Sequence, residues 1–135
     1  SVAFWNSVNS QSERAFGRKV SMGVECAMTE VVHCKSKDEI GVEKCLNHCS
    51  NKWMNEILSL SEARVLMLLG NQASRWFESS VAPIERFGIQ GTFDLGGKER
   101  LVIHIPHPAS WAKVKRLDKI LSNEELARVQ KLLNS

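Results

Sequence analysis

Two short apolar runs stand out from a chain whose apolar residues otherwise recur at three- and four-residue intervals. They are Arg64-Val65-Leu66-Met67-Leu68-Leu69, apolar after its first residue, and Leu101-Val102-Ile103-His104-Ile105-Pro106. Runs of this length bounded by turn residues predict strands buried on both faces, whereas the wider spacing predicts amphipathic helices. Helical spacing is clearest from Gly41 to Leu58, where Val42, Cys45, Leu46, Cys49, Trp53 and Ile57 share one face. It returns at Leu126, Val129, Leu132 and Leu133, behind the capping box Ser122-Asn123-Glu124-Glu125. A further helix is expected over Phe4 to Arg18, with a capping box at Ser10-Gln11-Ser12-Glu13, and a β-branched strand over Ala27 to His33.

After Leu69 the chain turns at Gly70 and enters a helix that Asn71 is placed to cap. Between Gly88 and Gly97 the turn signals are dense and predict a loop or hairpin leading into the Leu101 to Ile105 strand. Strands alternating with helices give an α/β fold with a mostly parallel sheet, whose ligands bind outside the strands' carboxyl ends. Three loops should meet there: His33-Cys34-Lys35-Ser36, Gly70-Asn71-Gln72 and His107-Pro108-Ala109-Ser110.

The length of 135 residues fits one domain over 1–135, and no repeat or linker divides it. No apolar stretch reaches the roughly 18 residues of a membrane span, and neither end carries a secretory leader, so a cytoplasmic location is expected. A net charge of +3 permits nucleic-acid binding without requiring it.

Cys26, Cys34, Cys45 and Cys49 fall in one short window. Inert, core-facing thiols are the expectation for Cys45 and Cys49. Metal ligation by Cys34, Cys45, His48 and Cys49 is the alternative. It is opposed by the absence of a Cys-x-x-Cys pair and by the helical geometry, which turns His48 about 100° away from Cys49. No cofactor is therefore expected.

Candidate chemistry concentrates after the Leu101 to Ile105 strand. His107 brings a titratable imidazole, Pro108 a rigid turn and Ser110 a hydroxyl, followed by Trp111 and the cations Lys113, Lys115, Arg116 and Lys119. Such a loop suits a polar, anionic ligand, while a solvated surface equally accounts for the cations. His104, inside the strand, reads as a core histidine holding one hydrogen bond.

Three pieces in this order resemble the uracil-DNA glycosylase-like superfamily: Thr29-Glu30-Val31-Val32-His33-Cys34, Val65-Leu66-Met67-Leu68-Leu69-Gly70-Asn71-Gln72-Ala73, and Pro106-His107-Pro108-Ala109-Ser110. The helix carrying Cys49, Trp53 and Ile57 also fits, so the resemblance covers roughly residues 24 to 133. It implies a three-layer α/β/α domain with a short, mostly parallel central sheet. It also implies a DNA partner, from which a damaged base is flipped before its N-glycosidic bond is hydrolysed. His107 would stabilise negative charge on the departing base. Asn71, Pro108 and Ala109 would border the flipped nucleotide, and Ser110 would contact a phosphate. Trp111 would lie near the base stack, with Lys113, Lys115 and Arg116 on the DNA backbone.

The chain departs from the family in two places. Nothing before Met28 supplies the Gly-rich turn that carries the water-positioning Asp or Asn, as if the chain were a fragment or a divergent member. Glu30 stands where iron–sulfur members have an amide, and a carboxylate there can accept from an exocyclic amine or act as the base for water. Cys34 and Cys49 match two of the four cysteines of those members, but the amino-terminal pair is missing, so no cluster is predicted. A non-catalytic nucleic-acid-binding module and a small-nucleotide hydrolase are the alternatives.

Overall fold

A central strand organises the molecule. In the computed structural model, which describes residues 2–26 and 53–135, β3 (Lys98–Ile105) lies between β1 (Val65–Leu69) and β2 (Gly88–Leu95). β1 runs parallel to β3, with Val65 opposite Leu101 and Leu69 opposite Ile105, and β2 runs antiparallel. The turn-rich stretch from Gly88 to Gly97 is thus the hairpin alternative, with β2 a full strand. Gly96 and Gly97, at φ 65° and 85°, form the two-residue connection, the positive φ values that a type I′ turn requires.

The period of the strands sorts their side chains into two cores. Leu101, Ile103 and Ile105 of β3, with Val65, Met67 and Leu69 of β1, pack against α1 (Val2–Phe16), α4 (Leu117–Ile120) and α5 (Asn123–Leu133) through Ala15, Leu117, Leu121 and Val129. Val102, Leu66 and Leu68 face the other way, onto Met54 and Leu58 of α2 (described over 53–60) and onto Trp76 and Phe77 of α3 (Gly70–Ser80). Helices on both faces of the sheet give the three-layer α/β/α arrangement. Ile89 and Phe93 of β2 have the same parity yet join opposite cores, because the register slips between Ile89 and Gly91. The extra residue there is a β-bulge that exchanges the strand's two faces.

Several local expectations change. α1 begins at Val2, so Ser10 to Glu13 lie inside a continuous helix and cap nothing; the Ser12 hydroxyl instead donates to the Val8 carbonyl at 3.0 Å. α3 begins at Gly70, with Leu69 as its extended cap residue and no side-chain cap bond, so Asn71 does not cap it. On α2 the buried positions are Met54 and Leu58, while Trp53 is 40% exposed. The apolar stripe therefore runs one position later than the Trp53 to Ile57 spacing predicts, because Met54 and Leu58 are the residues that reach Trp76 and Phe77. The capping box at Ser122 is present in full: its hydroxyl accepts from Glu125 N–H at 3.1 Å, and the Glu125 carboxylate accepts from Ser122 N–H at 2.9 Å.

The expected strand over 27–33, with Glu30, and the residues Cys34, Cys45, His48 and Cys49 lie outside the described residues. Cys26 is a half-buried free thiol whose pKa burial raises. Among the described residues no helix is long and apolar enough to cross a membrane.

Candidate functional site

The parallel pairing of β1 and β3 brings two carboxyl ends side by side, and with them Gly70 and His107. Gly70 is buried at φ +80°, and a β-carbon built on it would lie 2.8 Å from the Cβ of His107. Two of the three expected loops therefore do meet, and glycine is what lets them.

His107 opens a tight turn in which Ser110 N–H donates to the His107 carbonyl at 2.9 Å. Within it, Ala109 N–H donates to Nδ1 of His107 at 3.0 Å. A nitrogen that accepts carries no proton, so the neutral ring has its proton on Nε2, which becomes the donor. Phe4 of α1 stacks on the imidazole with centroids 5.2 Å apart and planes 27° apart, and Trp5 meets Phe4 edge-on at 5.7 Å.

The remaining loop residues divide by their partners. Pro108 is half-buried, and its carbonyl accepts from Nζ of Lys115 at 2.9 Å, so Lys115 ties the loop to itself. The Ser110 hydroxyl accepts from Ala112 N–H at 3.4 Å. Arg116 holds Asp118 through two hydrogen bonds, at 3.0 and 2.8 Å, and this guanidinium first, then Arg14, keeps the Asp118 carboxyl below its usual range. Ala109 and Lys113 are exposed, and Trp111 is fully so. Asn71 is exposed on the first turn of α3, where its carbonyl accepts from Ser74 Oγ at 3.0 Å.

His104 ends on the α3 face of the sheet, its ring 4.8 Å from that of Phe87. It is 8% exposed, and neither ring nitrogen makes a well-formed hydrogen bond among the described residues. Burial lowers its pKa, against the opposing influence of the Arg86 backbone, the Glu78 carboxylate and the Gly70 backbone.

Phe4 and Gln11 join the site without having been singled out by sequence. Gln11 is buried, donating from Nε2 to the Lys115 carbonyl at 2.5 Å and accepting at Oε1 from Leu117 N–H at 2.9 Å. The available signal was a glutamine on the otherwise apolar stripe Phe4, Val8, Ala15. A separate cavity of about 560 Å³, bordered by Arg64, Arg128 and Lys131, opens at the amino ends of β1 and β3, away from His107.

Comparison with known families adds one match, to the family described as the Uracil DNA glycosylase superfamily, over residues 1–133. No curated protein and no solved structure matches the chain.

Proposed function

Because the chain belongs to the uracil DNA glycosylase superfamily, we propose that it extrudes a damaged nucleotide from DNA and hydrolyses the bond joining the base to its sugar. The base in this reading is uracil or a deaminated purine. The observation that carries it is the proton placement on His107: Nδ1 is occupied by Ala109 N–H, which leaves Nε2–H to donate. When the bond between C1′ and the base nitrogen breaks, its electron pair stays on the base, and a carbonyl oxygen of that base gains negative charge. A fixed donor at that oxygen lowers the barrier without having to reorganise. A water oxygen bonds to C1′ and its proton passes to a carboxylate, for which Glu30 is the candidate.

Around this centre Asn71, Pro108 and Ala109 border the nucleotide, and Ser110 meets a flanking phosphate. Trp111, fully exposed, is free to enter the gap in the base stack, and the exposed Lys113 can pair with the backbone. Lys115 and Arg116 add positive field while tethered to Pro108 and Asp118.

A second reading, a nucleic-acid-binding domain without catalysis, is favoured by one observation. Residues 2–16 form a helix that lays Phe4 on the imidazole, and they contain no Gly-rich turn to position water. Single-turnover base release from single- and double-stranded oligonucleotides carrying uracil, hypoxanthine or xanthine separates the two. Release that His107→Ala slows by about 10²-fold or more supports the glycosylase. Salt-sensitive binding with no release by the unaltered chain supports the binding domain.

A further inference from the structure

Phe4 and Gln11 lie two turns apart on the face of α1 that also carries the buried Val8 and Ala15. At one end of that face Phe4 covers one side of the His107 ring. At the other, Gln11 uses both ends of its amide to hold the backbone where the loop leaves for α4. Lys115, whose carbonyl Gln11 grips, returns its ammonium to the Pro108 carbonyl beside His107. The loop is thus closed on itself and clamped to one helix at two points. Gly70 limits the imidazole from below, at its Cβ.

We infer that Phe4 and Gln11 are positioning residues for His107, Phe4 fixing the plane of the imidazole and Gln11 fixing the loop that carries it. The inference rests on the proposed role of His107 for its catalytic consequence, but not for its geometry. The Ala109 N–H bond selects the tautomer, yet a single hydrogen bond leaves the ring able to swing about χ2. A flat apolar surface against one face restricts that motion, so the Nε2–H direction is held. Catalysis by a directed donor needs this, since a misplacement of about 1 Å can cost about 10²-fold in rate.

The test uses the full chain labelled with ¹⁵N-histidine, with His107 assigned by the signal lost in His107→Asn. At a pH where the ring's own ¹⁵N shifts show it neutral, the unaltered chain should show protonated Nε2 and bare Nδ1, with the His107 ring protons displaced by the Phe4 ring current. Phe4→Leu should abolish that displacement and move both nitrogens toward the average of the two tautomers, and Phe4→Tyr should restore the original pattern. Gln11→Leu should move the nitrogens in the same sense, and Gln11→Glu less, because it keeps the acceptor for Leu117 N–H. Backbone amide spectra unchanged away from the loop distinguish this from loss of fold.

His107 signals that ignore both Leu substitutions overturn the inference, as does failure of Tyr to rescue. On a substrate oligonucleotide, Phe4→Leu should slow base release by about ten-fold or more while DNA affinity stays within about two-fold; an unchanged rate overturns the catalytic part. If the unaltered chain releases no base, the proposed function fails and the spectra still decide the positioning.

Discussion

Gly70 and His107 are packed so closely that a side chain at 70 has no room: a β-carbon there would lie 2.8 Å from the Cβ of His107, well inside van der Waals contact. The Gly70→Ala change should therefore cost more than a surface substitution. An L-residue at φ +80° pays about 1–2 kcal/mol in backbone strain, and the collision adds to it by pushing His107 outward. Urea unfolding should show the loss, and the His107 ring resonances should shift more than those of any other histidine. An alanine variant with unchanged stability and spectrum would mean that the two loops do not touch.

The strand at Leu101 to Ile105 was legible because full burial forces a near-continuous apolar run, and the Ser122 capping box because its two hydrogen bonds are local; the run at Val65 to Leu69 also marks a strand, but only Leu68 in it is buried and the other four are half-buried, so the full burial expected of it is not found. Asn71 misled because the tight turn places Gly70 itself in the helix, which leaves the cap position to Leu69. His107 could be read from its setting after a strand. Phe4 and Gln11 could not, since their partners lie 103 and more than 100 positions away in the chain, a distance that no periodicity spans.

His104 supplies a pH dependence. Its folded pKa is lowered by burial, with Glu78 and the backbones of Arg86 and Gly70 pulling the other way, so the unfolded chain takes up the proton first as pH falls. Stability should be complete above about pH 6.5 and decline below it toward the folded pKa. His104→Leu, which also removes two buried nitrogens that make no well-formed hydrogen bond among the described residues, should flatten this decline without lowering stability at pH 8. Unfolding free energies compared between pH 8 and pH 5 check it; an equal acid decline in the variant would exclude His104 as its source.

Arg100 is 1% exposed and gives its guanidinium entirely to carbonyls, at 2.8 Å to Leu95, 2.9 Å to Ala63, and to Leu58 at the end of α2. Arg100→Met should destabilise by about 3 kcal/mol, because those acceptors stay buried without a donor. Arg100→Lys should recover only part of this, since a point-like ammonium cannot span a three-pronged site. Chemical denaturation of the three chains gives the ranking directly, and equal midpoints would refute it.

Ser122→Ala removes one arm of the capping box that opens α5. A loss of about 1 kcal/mol is expected, with Ser122→Asp close to the original because its carboxylate also accepts from the third helical N–H. Thermal melts with no difference between serine and alanine would show that tertiary packing alone fixes the start of the helix.

The slip between Ile89 and Gly91 gives β2 a reading frame. Upstream of it odd-numbered positions belong to the α5 side, and downstream they belong to the α3 side. Comparing this chain with another that lacks the extra residue therefore demands a gap there. Without one, Phe93 and Leu95 would be matched to the wrong wall of the molecule, and a family likeness would fade at the strand that joins the two halves of the core.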